Sequence, residues 1–305
     1  MMRVMEWHWR LWLLMCMMMT AVPVHAAISV RDDAGNLVVL PKPAQRVISM
    51  APHATELLFA AGGGDRIVGA VDYSDYPEAA KRIPRVGDNH QVDMEKIVAM
   101  HPDLIVVWPH ISSERQIERL RELGTPFFYS EPHKLQDIPD SIVRLGQLLG
   151  TEQAARQSAS ELRQKLAALE ARYAHRPTVR LFYQVWDKPL YTLNGQHIVS
   201  DAIRLCGGEN IFADLKIAAP AVSIEAVLQE DPEAIFATAE RGPGGGIGMW
   251  KPYTTMTAVR RGNLMTIDGS LLNRAGPRMI AGTAALCEKL EQVRSHRIDA
   301  QRGQP

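Results

Sequence analysis

Two Rossmann-like α/β lobes with mostly parallel sheets, joined by one long backbone helix, are what this sequence predicts, on three observations. Strand-like and helix-like segments alternate in two blocks, the pattern of parallel sheets covered by helices. One uninterrupted helical stretch separates the blocks. The blocks also echo each other: Val92, Glu95, Pro102 and Ile105 recur as Val222, Glu225, Pro232 and Ile235, and Ala61-Gly62-Gly63 recurs as Cys206-Gly207-Gly208. The first four pairs keep a constant offset, and internal repetition fixes architecture before any single element does.

The separating helix runs from Thr151 to Tyr173. Ala155, Ala159, Leu162, Leu166, Leu169 and Tyr173 recur at steps of four and three, which lays one apolar stripe along it. Glu152, Arg156, Glu161, Lys165 and Arg172 occupy the remaining surface. Thr151 is placed to cap the start, and Arg176-Pro177 stops the helix, because proline lacks an amide proton and disfavours helix in the residue before it. A helix of this length spans roughly 30 Å, about the width of a small domain.

In the first block, 28–150, alternation from Ile28 to Leu40 around Asp33-Ala-Gly35-Asn reads as a hairpin. Strands are expected at 46–50, 67–71, 104–108 and 126–129, and helices at 53–61, 92–100, 113–123 and 138–149. Pro52 opens the first of these helices and Gly62-Gly63-Gly64 stops it. After the linking segment 151–176, the second block covers 177–298. Its expected strands are 179–185, 234–238 and 264–267, its helices 200–205, 224–229, 257–261 and 277–293. Trp186 to Pro189 and the run Gly242 to Gly248 read as loops, and a polar tail, 299–305, is expected to fray.

The first 26 residues read as a signal peptide. Arg3 and Arg10 bracket a charged region, Leu11 to Val22 is a short apolar core, and Val24-His25-Ala26 supplies a cleavage site. The core is too short to cross a bilayer comfortably, which weighs against an uncleaved anchor. Cys16 is not preceded by the small residue that a lipoprotein signal needs. Export to the periplasm is the expectation. Lysine plus arginine (34) balance aspartate plus glutamate (34), so nothing points to nucleic acid or an anionic membrane as partner. The exported chain keeps Cys206 and Cys287. An even count in an oxidising compartment favours one disulfide, with two free buried thiols as the alternative.

Ligands of open α/β sheets bind beyond the carboxyl ends of the strands. Tyr73, Tyr76, Asn89, His90, Trp108, His110, Glu131, His133 and Trp186 all fall there, and aromatic loop residues suit a large, flat, partly apolar ligand. His53, His110 and His133 raise a metal site, and with it a secreted metal-dependent enzyme, but their spacing matches no zinc signature. No G-x-S-x-G, H-E-x-x-H or P-loop lysine is present, and Asp72 and Asp75 lack a partner nucleophile. A binding protein rather than an enzyme is therefore expected, with no cofactor and no resident metal. Glu95 and Glu225 each open a helix of the repeat, where a carboxylate complements the helix dipole. Repeat symmetry also puts one carboxylate on top of each lobe, suited to basic residues of a two-fold symmetric partner.

Five segments together carry a resemblance: Tyr73-Ser-Asp-Tyr-Pro77, Met94 to Asp103 with Trp108, Cys206 to Phe212, Val222-Ser-Ile-Glu225 and Arg274-Ala-Gly-Pro-Arg278. They are similar to the periplasmic substrate-binding proteins of ABC importers with a rigid linking helix, the class serving cobalamin, siderophores and haem. The resemblance spans Arg46 to Val293 and is strongest to cobalamin binders. It implies that Tyr73, Trp108 and the loop Ser270-Leu271-Leu272-Asn273-Arg274 contact a corrinoid. It implies that Glu95 and Glu225 engage arginines of an inner-membrane permease, that Cys206 pairs with Cys287, and that the protein acts as a monomer. Asn89, Ala219 and Leu271-Leu272 stand where cobalamin binders carry aromatics, which leaves a ferric siderophore or haem as the alternative ligand.

Overall fold

The computed structural model describes residues 27–88, 91–109, 114–238 and 246–302. The signal segment, Asn89, His90, His110 and residues 242–245 of the glycine run lie outside the described residues.

A hairpin of β1 (Ile28–Arg31) and β2 (Leu37–Leu40) leads in, pairing antiparallel from Ile28 with Leu40 to Arg31 with Leu37. Its turn is closed by the Asp32 carboxylate, which accepts from the Asn36 amide at 2.8 Å. The first lobe is a four-stranded sheet in the order β4-β3-β5-β6. These strands are β3 (Val47–Ser49), β4 (Ile67–Ala70), β5 (Leu104–Val107) and β6 (Phe127–Tyr129), all parallel. Every side chain of β5 is buried, as expected of an apolar run in a sheet covered on both faces. Four helices belong to this lobe: α1 (Pro52–Ala60), α2 (Met94–Ala99), α3 (Glu114–Arg121) and α4 (Asp137–Leu149).

The linking helix α5 is Glu152–Tyr173. Ala155, Ala159, Leu162, Leu166 and Tyr173 of its stripe are buried, and Leu169 is partly so. Thr151 does not cap it. Its hydroxyl instead donates to the Ala61 carbonyl at 2.6 Å, tying the start of α5 to the end of α1. Gly150, in the left-handed conformation (φ 64°), makes the reversal between α4 and α5.

The second lobe repeats the first. Its sheet runs β10-β7-β11-β12, the same crossover order, from β7 (Val179–Gln184), β10 (Gly208–Asn210), β11 (Ala234–Thr238) and β12 (Leu264–Ile267). Helices α6 (Ile198–Leu205), α7 (Ile224–Glu230), α8 (Thr257–Arg260), α9 (Gly269–Leu272) and α10 (Met279–Arg302) surround it. Three expectations are corrected here. The segment from Trp186 is a two-stranded ribbon, β8 (Trp186–Asp187) against β9 (Leu190–Tyr191), rather than a plain loop. Strand β10 went unread because it is short and begins on glycine. The final helix runs to Arg302, so most of the predicted frayed tail is helical. Arg294 anchors that helix, donating to the carbonyls of Pro177 (2.8 Å), Cys206 (2.9 Å) and Gly207 (3.0 Å). Cys206 and Cys287 form the disulfide, with Cα atoms 4.7 Å apart and both residues buried.

Candidate functional site between the carboxyl edges

Parallel strands bring their following loops to one edge, so each lobe presents a rim. The first lobe's rim carries Tyr73 and Tyr76 after β4 and Trp108 after β5; the second lobe's carries Trp186 after β7 and residues 268–278 after β12. Tyr73 is 73 % exposed and sits at φ 64°, a left-handed conformation that lifts its ring off the loop. Tyr76 and Trp186 are about half exposed, and the Trp186 indole nitrogen donates to the Lys188 carbonyl at 3.0 Å. Leu215 and Ile217 are also exposed, on the loop after β10. Among the described residues, five of the eight large exposed hydrophobics (Tyr73, Tyr76, Trp186, Leu215, Ile217) therefore stand on carboxyl-edge loops. Scattered exposed apolar residues are ordinary; their concentration on one edge marks a binding surface.

Trp108 is half-buried. Its ring meets the His53 imidazole edge to face, with centroids 5.8 Å apart. His53 is buried in the first turn of α1, its Nε2 lies 3.2 Å from the Ser130 carbonyl oxygen, and burial pushes its pKa down to about 4. It is a neutral packing partner of Trp108. His133 is exposed, and among the described residues no three His, Cys, Asp or Glu side chains form a group able to hold a metal ion.

Ser270 and Leu271 lie on α9, partly buried. Leu272, predicted on the same loop, is wholly buried in the core, because the short helix turns it inward. Asn273 accepts a hydrogen bond from the Tyr183 phenol at 2.9 Å. Arg274 reaches across to the first lobe and pairs with Asp75 at 2.6 Å. Burial is the largest single influence on the Asp75 carboxyl and raises it, but the hydrogen bond and charge of Arg274, helped by the Asp75 backbone amide and the Arg278 charge, together outweigh this and hold it below its ordinary range. A second bridge joins the lobes deeper down. Arg278 donates twice to Glu56 Oε1, at 2.7 and 3.1 Å, and its guanidinium lies over the Tyr76 ring at 4.2 Å. Glu56 sits among the buried residues of α1 with its Oε2 unpartnered. The sequence carried one weak signal of it: Glu56 is the single charged carboxylate in the helix-forming segment Pro52 to Ala61, flanked by Leu57 and Leu58.

On the outer tips, Glu95 and Glu225 are exposed in the first turns of α2 and α7. Asp93 caps α2 by accepting from the Lys96 amide at 3.0 Å, and Ser223 caps α7 by accepting from the Ala226 amide at 3.1 Å. Hydrogen bonds from its own amide and from Ser223 hold the Glu225 carboxyl below its ordinary range.

Comparison with known proteins accords with this geometry. Residues 47–271 match the model of a periplasmic binding protein family. The vitamin B12-binding protein of Vibrio vulnificus is 37 % identical over 256 residues, covering 84 % of this chain and 93 % of that protein. The Vibrio cholerae protein of the same description is 38 % identical over 257 residues, 84 % and 92 % of the two chains. The crystal structure of the periplasmic vitamin B12-binding protein BtuF of Vibrio cholerae superposes with a TM-score of 0.77 at 36 % identity, covering 83 % of this chain and 98 % of that one. The haem-binding protein RhuT of Roseiflexus, at 23 % identity and a TM-score of 0.71, shares the fold. Two repeated lobes, a rigid linking helix and an aromatic rim between them are thus the architecture of a transport receptor rather than an enzyme, and this chain belongs to the periplasmic binding protein family.

Proposed function

We propose that this chain captures cobalamin or a related corrinoid in the periplasm and delivers it to an ABC-type permease. One observation carries the reading: the chain is alike, from end to end of the relatives, to proteins named for vitamin B12 binding, with 93 % of the Vibrio vulnificus protein covered. The exposed rings of Tyr73, Tyr76 and Trp186, with half-buried Trp108 behind them, suit the broad apolar face of a corrin. Arg274 and the backbone around Ser270 supply polar handles for its amide periphery. Asn89, His90 and His110, outside the described residues, complete the proposed lining.

Release to the membrane rests on Glu95 and Glu225. They project from capped, repeat-related helix starts, so a permease dimer with matching basic residues can meet both at once. Helix α5 and the two interlobe ion pairs limit hinge motion, so closure on the ligand is small. The mature protein starts after Ala26 and acts as a monomer.

Titration of the purified mature protein with cyanocobalamin, read by calorimetry and tryptophan quenching, tests the reading. Saturable one-to-one binding, weakened by Trp108→Ala and Trp186→Ala, is expected. Absence of binding, with saturation instead by haem or a ferric siderophore run in parallel, would reassign the ligand.

A further inference from the structure

The contact between the two lobes is charge-balanced. Two guanidiniums of the second lobe enter the interlobe contact, Arg274 and Arg278. Two carboxylates of the first lobe meet them, Asp75 and Glu56. The pairs touch at one further point, where Arg274 Nη1 lies 3.8 Å from Glu56 Oε1. Tyr76 covers the face of Arg278. Neither arginine is left with a free charge to offer. His53 packs beside this group and stays neutral near pH 7 because it is buried, so it adds no cation.

An arginine held by a carboxylate still has N–H donors for amide or carbonyl oxygens, but its electrostatic pull on an anion is cancelled at short range. We infer that Asp75 is a specificity-determining residue, which neutralises Arg274 so that the cleft takes an uncharged chelate and disfavours anionic ones. The inference rests on the ligand-binding reading for the place of the site, and it names the class admitted there. A cyanocobalamin is net neutral with an amide periphery. Haem carries propionates, and ferric tris-catecholates are trianions. Glu56 cannot substitute for Asp75. If Asp75 loses its charge, Arg274 falls back on the unpartnered side of Glu56, leaving one carboxylate between two guanidiniums and one positive charge in surplus.

Matched ligand pairs test this. One pair is cyanocobalamin and its monocarboxylate, made by hydrolysing one peripheral amide. The other is a neutral ferric tris-hydroxamate and a trianionic ferric tris-catecholate. The wild-type protein should prefer the neutral member of whichever pair it binds. Asp75→Asn, nearly isosteric and half exposed, should shift that preference toward the anion by about tenfold or more, less so in high salt. The double variant Asp75→Asn/Arg274→Gln should restore the wild-type preference, because the surplus cation is gone. An Asp75→Asn preference equal to wild type in every pair that binds, or a shift that persists in the double variant, would overturn the inference. Failure of the corrinoid pair to bind at all, with the iron-chelate pair shifting as described, would instead sink the cobalamin reading and leave the charge argument standing. Should Asp75→Asn not fold, the wild-type preference alone decides: equal or tighter binding of the anionic member refutes it.

Discussion

The two lobes are alike on their outer tips and unlike on their facing edges. At the tips, α2 and α7 are each capped by a side chain three residues before the amide it holds. Each is followed by a non-glycine residue at positive φ (His101 at 45°, Asp231 at 40°) and then by proline. At the edges, the first lobe offers two tyrosines and two carboxylates, the second a tryptophan ribbon and two arginines. On the proposed function, a two-fold symmetric permease would hold both tips to one pattern, and an asymmetric ligand gripped from two sides would ask the opposite of the edges. Symmetry retained and symmetry lost would then mark two different kinds of contact.

The largest effect on delivery should come from the symmetric tips. Glu95→Ala/Glu225→Ala should lower permease affinity by tenfold or more per charge and reduce uptake into vesicles carrying the permease, with ligand affinity unchanged; lost ligand affinity would contradict the division of roles. Next is a crosslink that only the second lobe has. Removing the Cys206–Cys287 bridge, which spans 81 residues, should cost about 4.5 kcal/mol by loop entropy, measured by urea unfolding of the double alanine variant. A loss much below that would mean native contacts around α10 already restrain the segment.

Acid should act on both lobes through matched histidines. His53 in α1 and His197, which caps α6 through Nδ1, are each lowered to about 4, mainly by burial. Their folded values lie below the unfolded value near 6.5, so the unfolded chain binds more protons between the two. Stability is therefore full above about pH 6.5 and declines as pH falls toward 4, by up to about 1.4 kcal/mol per unit per histidine. His53→Gln should flatten half of that slope in pH-dependent unfolding, and an unaltered slope would show that His53 is solvated. The smallest effect is the cap comparison: Asp93→Ala and Ser223→Ala should each cost about 1 kcal/mol in thermal unfolding, and unequal losses would show that the tips are less alike than their geometry.

What the sequence disclosed follows the range of the forces involved. The repeat, the stripe on α5 and the positions of Glu95 and Glu225 depend on local spacing and were legible. The disulfide was legible as a preference, since only Cys206 and Cys287 lie outside the segment expected to be a signal peptide. The pairing of Glu56 with Arg278 joins residues far apart in sequence, and nothing local announces it. Thr151 looked like a cap because its type and place fit, but a tertiary acceptor, the Ala61 carbonyl, competed and won. Leu272 was expected at the rim because the family resemblance placed the loop 270–274 against the ligand; a single helical turn was enough to point it inward.

Helix α5 has one more consequence. Its stripe packs into a single apolar cluster that runs without a break from Val30 and Leu57 of the first lobe to Ile203 and Val293 of the second. Each lobe also keeps an apolar cluster of its own on the other face of its sheet, around Ile48 and Ile105 in the first and Phe182 and Trp250 in the second. The spine is therefore the part of the core that both lobes own, and loss of packing in either exposes the stripe of α5 that the other buries.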